Sequence, residues 1–300
     1  MFRSFRKKET AQETAGTLAV GCGGGGCNIV NRLGKISSVD ILTVNTDRKG
    51  LVRTRSNQRI LLGNGSMEAG CGGDVRLGTS LAKDASEIIE EQIKGHMNIV
   101  IFAGLGGGTG TGSAKVIADT AKRNGLRVIT MVTLPMSFEA GRRRTATGSL
   151  KDIKEASDIL FVIDGDRLAE IDPALGAREA FSVLDQMMCE SFISIMEMLE
   201  GGDGEAIFQK MKGNMFTASF AEGMNVEKVA KALADGPMLK SAAASPPMIF
   251  VRGNIPPDGS ERTICEIISK NIGYEPAFIQ GPSGRGMNLI MFIPVGGSFL

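Results

Sequence analysis

The sequence predicts an α/β protein: a doubly wound parallel sheet, one long helix, and a second, smaller α+β region. Three observations carry that expectation. Short apolar runs alternate with amphipathic stretches of helical length between residues 17 and 163, and continuous apolar strands are those covered on both faces. The stretch Ala177–Leu199 places apolar residues at 180, 181, 184, 187, 188, 192, 195 and 199 without Gly or Pro, a period close to that of a helix long enough to cross a domain. Glycine is 40 of 300 residues, about twice the ordinary share of roughly 7%, and it clusters where predicted strands end.

Residues 1–16 read as a polar, flexible arm with a basic start. Strands are expected at Thr17–Val20, Ile41–Val44, Asn98–Ala103, Arg127–Thr133 and Ile159–Ile163, with helices at Asp74–Lys94, Ser113–Arg123 and Arg142–Ala156 between them. In such a sheet, ligands bind at the carboxyl ends of the strands. Past Gly201-Gly202 the pattern becomes a helix (Gly204–Lys212), a strand, a helix (Val226–Ala234) and a Pro/Ser/Ala-rich link over 236–247. Strands at Met248–Arg252, Ala277–Gln280 and Leu289–Pro294 and a helix at Ser260–Ile272 complete it. These readings divide the chain into an arm (1–16), a main domain (17–176), a central helix (177–200) and a C-terminal α+β domain (201–300), in keeping with a length of about two domains.

Composition narrows the function. Lys and Arg number 34 against 33 Asp and Glu, which removes the basic footprint of a nucleic-acid binder; the isolated Arg142-Arg143-Arg144 does not restore it. A single histidine, His96, expected on the surface, leaves no His-rich metal site, and no metal-binding residues are assigned. Five cysteines, without CxxC spacing, form neither a disulfide framework nor a zinc site. A reducing, cytoplasmic compartment is expected. No apolar run reaches the length that spans a bilayer, and no signal peptide opens the chain.

Two motifs carry chemistry. Val20-Gly21-Cys22-Gly23-Gly24-Gly25-Gly26-Cys27-Asn28 follows a predicted strand and opens a helix, where glycine lets a phosphate approach the free N–H groups of a helix start. It also satisfies G-x-G-x-x-G through Gly21, Gly23 and Gly26, with Asp47 placed 21 residues after Gly26, so a dinucleotide oxidoreductase is one reading. The second motif, Gly104-Leu105-Gly106-Gly107-Gly108-Thr109-Gly110-Thr111-Gly112-Ser113, lacks the lysine of a Walker loop. Its backbone donors and two hydroxyls suit an oligophosphate whose charge is met by dipoles, and so many glycines exceed what a structural turn needs. The oxidoreductase reading leaves this motif without a task and ranks behind.

Gly106-Gly107-Gly108-Thr109-Gly110-Thr111-Gly112 resembles the signature of the tubulin/FtsZ family, and residues 20–28 are similar to its first phosphate loop. The resemblance implies the tubulin/FtsZ fold and a guanine nucleotide site for GTP or GDP, with Mg²⁺. Gly21, Gly23, Gly24, Gly25 and Asn28 would lie along the nucleotide, with Asn45 and Asp47 in the loop after the second strand. Gly72, Gly73 and Asp74 match the loop near the γ-phosphate, and Gly106 to Gly112 would cradle the α and β phosphates. Pro135, Glu139 and Arg143 match the segment holding ribose and phosphates. Phe181 and Asp185 match the residues that stack on guanine and pair with it; i and i+4 share one helical face.

Two departures accompany the resemblance. Gly165 sits where relatives often place an Asn near the base and ribose. Where the family carries Asn-x-Asp-x-x-Asp, whose acids act on the neighbouring subunit's γ-phosphate, this chain reads Gly201-Gly202-Asp203-Gly204-Glu205-Ala206. Asp203 and Glu205 are the candidate catalytic acids, Glu205 is one residue out of register, and hydrolysis is expected to be weak. For Asp203 the competing reading is a cap on the next helix. The tail that links mainstream members to membrane adaptors is expected to be missing after Leu300. Residues 1–8 combine two aromatics with four cations, a pattern that fits contact with an anionic membrane. The expected function is a self-associating, FtsZ-like cytoskeletal protein of cell division or membrane remodelling, forming head-to-tail filaments or dimers. The alternative is a GTP/GDP-binding switch or dimeric scaffold without efficient catalysis.

Overall fold

The computed structural model describes residues 16–63, 70–171, 176–236, 238, 243–256, 259–283 and 286–296. The arm 1–15, part of the link 236–247 and the last four residues lie outside these. The chain forms two compact units, one ending at Ile129 and the other starting at Thr130.

The first unit runs β1 (Thr17–Cys22), α1 (Gly23–Leu33), β2 (Asp40–Asn45), α2 (Arg48–Arg53), β3 (Gln58–Leu61), α3 (Val75–Asp84), α4 (Ser86–Ile93), β4 (Asn98–Gly104) and α5 (Gly108–Arg123). Its strands are ordered β3-β2-β1-β4 and pair in parallel; Val20 stands between Leu42 and Ile101. Every residue of β1 is buried, as expected of a strand covered on both faces.

Four features depart from the sequence expectation. The helix expected over Asp74–Lys94 is two, broken at Ala85, whose φ of −93° and ψ of 9° leave the helical region. Both glycine motifs are already helical: α1 starts at Gly23 and α5 at Gly108, not Ser113. Tertiary packing overrides the poor helix propensity of glycine at both places. The short elements α2 and β3 were not expected, because six and four residues are too few for a periodic signal. His96 is half-buried rather than superficial, its Nε2 3.6 Å from the Asp40 carboxylate.

β5 (Arg127–Leu134) crosses the division. The second unit continues with a 3₁₀ turn (Ser137–Glu139), α6 (Ala140–Ala156), β6 (Ile159–Asp164), α7 (Asp166–Ile171), α8 (Ala177–Glu200), α9 (Gly204–Met211), β7 (Met215–Gly223), α10 (Val226–Ala234), β8 (Met248–Gly253), α11 (Ser260–Ile272), β9 (Ala277–Gln280) and β10 (Met287–Pro294). Its strand order is β5-β6-β7-β10-β8-β9. β10 is antiparallel to β7 and β8, whereas β6 with β7 and β8 with β9 are parallel. This mixed sheet packs Val251, Leu289 and Met291 with Val229 and Leu233 of α10 and Ile264 and Ile268 of α11. The predicted central helix is present as α8. It is tied to β8 by Arg252, which donates to Glu197 Oε2 at 2.8 Å and to Ser194 Oγ at 3.1 Å.

Candidate functional site

In the first unit the carboxyl ends of β1, β2 and β4 bring three predicted segments together. The Thr46 and Thr109 hydroxyls are 2.8 Å apart, and Thr109 Oγ1 donates to Cys71 Sγ at 3.4 Å. All three residues are buried. One small polar cluster therefore joins the loop after β2, the turn before α3 and the start of α5. Asn45 Oδ1 accepts the Thr46 N–H at 2.9 Å. The two acids of these loops hold helix starts: Asp47 Oδ1 accepts from Lys49 N at 2.8 Å, and Asp74 Oδ1 from Arg76 N and Leu77 N at 2.9 and 3.1 Å. Thr46 and Cys71 lie within the matched loops Asn45-Thr46-Asp47 and Gly70-Cys71-Gly72-Gly73-Asp74 but are not among the predicted site residues; their meeting with Thr109 is what marks them.

First-turn N–H groups lack intrahelical acceptors in any helix, and at the starts of α1 and α5 no capping side chain supplies one. Gly24, Gly25 and Asn28 are exposed, and a Cβ on Gly24 would meet nothing within 4 Å. Gly23, at φ +66°, lies so close to α5 that a Cβ there would be 2.6 Å from Gly110 N. Two uncapped helix N-termini thus face one place, an arrangement that suits a chain of phosphates. Gly72 and Gly73 are exposed.

The signature itself is mostly buried, with only Gly107 of residues 106–112 partly exposed. A Cβ on Gly108 would stand 2.6 Å from Asp74 O, and one on Gly112 would stand 2.5 Å from Thr79 N and 2.6 Å from Val75 O. The Thr111 hydroxyl accepts the Gly106 N–H at 3.0 Å. The expectation that so many glycines exceed a structural need is therefore corrected: close packing of α5 on α3 requires several of them irrespective of any ligand. Cys22 and Cys27, which flank the first run, are neutral fillers, their thiol pKa values pushed up to about 12 chiefly by burial.

In the second unit, Pro135, Glu139 and Arg143 gather with Asp164 and Asp166. Arg143 donates to Pro135 O at 2.6 Å and to both Asp164 oxygens at 2.8 Å; Glu139 pairs with Arg142 at 2.6 Å. On α8, Phe181 is 46% exposed, so it is not a core aromatic, and Asp185, one turn on, is half-buried. Asp203 occupies the N-cap position of α9, yet its side chain makes no capping bond, which removes the capping role. Gly204 is held against Leu199 O, where a Cβ could not fit. Glu205 Oε1 accepts from Gln209 at 2.8 Å. Among the described residues no group of three or more His, Cys, Asp or Glu is arranged to hold a metal.

Comparison with known proteins identifies the family and the fold. Residues 17–173 match the model of the tubulin/FtsZ family, GTPase domain. Cell division protein FtsZ 1 of Pyrococcus abyssi is 38% identical over 197 residues, covering 64% of this chain and 53% of that protein. Cell division protein FtsZ of Neisseria gonorrhoeae is 32% identical over 235 residues, covering 74% and 60%. The chain spans about half the length of the first of these relatives. Among solved structures, an FtsZ mutant from M. jannaschii superposes with a TM-score of 0.81 at 28% identity, covering 94% of this chain and 91% of that one. CetZ2 from Haloferax volcanii, solved as a GTPγS-bound protofilament, shares the fold at a TM-score of 0.78 and 19% identity over 92% of each chain. With more than half of its length matched by the family model, the chain belongs to the tubulin/FtsZ family.

Proposed function

We propose that the chain is a guanine-nucleotide-binding, FtsZ-like cytoskeletal protein that self-associates in cell division or membrane remodelling and hydrolyses GTP weakly. One observation carries the reading: the uncapped N-termini of α1 and α5, opened by Gly23–Gly25 and Gly107–Gly108 at the ends of the neighbouring strands β1 and β4. A phosphate chain there is met by backbone dipoles and needs no lysine. Pro135, Glu139 and Arg143 serve the ribose side, and Phe181 and Asp185 serve the base. The half-exposed Phe181 ring supports the stacking role. Mg²⁺ rides on the nucleotide's own phosphates, since this ion keeps waters and takes few protein ligands.

Self-association draws support from a relative solved as an FtsZ dimer and another as a protofilament. In a head-to-tail contact Asp203 and Glu205 act on the neighbouring subunit's nucleotide. The exposure of Asp203, with no capping bond to hold it, suits such a task, and the missing Asn makes the step slow. The deciding experiment is phosphate release from GTP with Mg²⁺, per subunit, over a wide range of protein concentration. A rate per subunit that climbs with concentration supports a site completed in trans. A flat, near-zero rate with guanine nucleotide recovered from the protein favours the second reading, a switch or dimeric scaffold.

Membrane contact and a cytoplasmic location complete the proposal. No helix among the described residues is long and apolar enough to cross a membrane; the proposed contact is through residues 1–8. A chain starting at Ala15 that bound anionic vesicles as well as the full chain would remove that part.

A further inference from the structure

We infer that Arg143 is a positioning residue, locked onto the buried carboxylate of Asp164, and that the corner it builds receives a sugar hydroxyl rather than a phosphate. The inference deepens the nucleotide reading and rests on it. Arg143 lies in the first turn of α6. Its Nη1 donates to Pro135 O at 2.6 Å and to Asp164 Oδ1 at 2.8 Å, while Nη2 donates to Asp164 Oδ2 at 2.8 Å. This is the two-pronged geometry in which a guanidinium holds a carboxylate most firmly. The Asp164 side chain is only 9% exposed, and its Oδ1 also accepts the Asp166 N–H at 3.1 Å. Asp166 in turn places Oδ2 3.0 Å from Arg143 Nη1 and accepts the Ser137 N–H on Oδ1. One side chain therefore ties together the end of β5, the turn after β6 and the start of α6.

Charge decides what this corner can receive. One guanidinium faces two carboxylates, and Glu139 is matched by Arg142, so Arg143 is already committed to carboxylates. A phosphate that drew Arg143 away would leave Asp164 buried and unpaired, a heavy cost for a carboxylate removed from water. A hydroxyl, which carries no charge and can donate to a carboxylate or carbonyl oxygen, meets no such penalty. Gly165 shows the same rebuilding of the corner. A Cβ there would lie 2.8 Å from Leu134 O and 3.1 Å from Met136 Cγ, so an Asn at this position would not fit without moving the end of β5.

The test is a double-mutant cycle in the full chain with Arg143→Ala, Asp164→Ala and the pair. Thermal unfolding is followed without nucleotide. Affinities for GDP and for guanosine are read by competition against a fluorescent GDP, each well below the variant's midpoint. If Arg143 is a strut, its loss lowers the midpoint more than loss of Asp164, and the double variant recovers part of the drop. GDP and guanosine then weaken by the same factor, about tenfold, in both single variants. Additive midpoint shifts, or Arg143→Ala weakening GDP while sparing guanosine with Asp164→Ala neutral, would overturn the inference and make Arg143 a phosphate ligand. Should the unaltered chain bind no guanine nucleotide, the nucleotide reading fails with the proposed hydroxyl role, and the midpoint cycle alone still tells whether Arg143 and Asp164 act as one unit.

Discussion

Gly24 and Gly25 open α1 onto solvent, whereas Gly108, Gly110 and Gly112 open α5 into its neighbours. The two motifs look alike as sequence: each follows an apolar strand, each starts a helix, and each is dense in glycine. Gly21, Gly23 and Gly26 of the first are packed as closely as the glycines of the second, and the difference lies at Gly24. A Cβ on Gly24 meets empty space, while one on Gly112 meets the backbone of α3 on two sides. Glycine density alone thus carries two messages, room for a ligand and room for a helix, and the tubulin/FtsZ signature in this chain carries mostly the second.

That contrast can be broken most forcefully at Gly112. Gly112→Ala forces α5 off α3 and is expected to cost about 3 kcal/mol, as overpacking of a tight contact does, in a denaturant titration with or without nucleotide. A loss within experimental error would show that the α3–α5 contact yields easily and that packing does not explain the glycine.

Next in size comes the alkaline response of the thiols flanking the first motif. Burial holds Cys22 and Cys27 protonated up to about pH 12 in the folded chain, while in the unfolded chain they ionise from about 8.5. Between these values the unfolded state binds fewer protons, so stability falls as pH rises, by about 2 kcal/mol per thiol by pH 10. Below pH 8 the two thiols leave stability unchanged. Unfolding midpoints of the chain and of Cys22→Ala/Cys27→Ala, compared from pH 8 to 11, should diverge; parallel curves would refute the assignment.

Gly24→Ala separates ligand approach from packing. The added methyl finds space, and alanine favours the helix, so the unfolding midpoint should hold or rise. GDP affinity should nevertheless fall by about tenfold or more, since the methyl stands where a phosphate must pass. Unchanged affinity would move the phosphates away from α1. The smallest effect expected is that of Thr109→Val, which removes the hydroxyl between Thr46 and Cys71 and should cost about 1 kcal/mol. Combined with Thr46→Val, the loss should be less than the sum of the two.

Much of the architecture is legible in the sequence because it rests on local pattern. The parallel strands of the first unit read as apolar runs, and α8 reads as a 3.6-residue period. α10, α11 and β9 fall at their expected residues. The misses share a cause. α2 is six residues behind a single capping acid, β3 is a short, half-polar strand, and Ala85 breaks a helix without any Gly or Pro to announce it. Phe181 belongs to the apolar stripe by spacing yet is half-exposed, because periodicity places a residue near a face without showing what covers that face.

For the candidate site the limit is sharper. Strand ends, glycine runs and the family signature sit in the linear order of residues, so the candidate phosphate-binding segments and the family are legible from that order alone. Which glycine faces a neighbour and which faces solvent is a matter of distances between segments far apart in the chain, as with Gly112 against Val75 and Thr79. The same holds for the union of Thr46, Cys71 and Thr109 and for the grip of Arg143 on Asp164. Hydrogen bonds and steric contacts act over a few ångströms in space, whatever the separation in sequence, and only the folded chain brings such groups within that range.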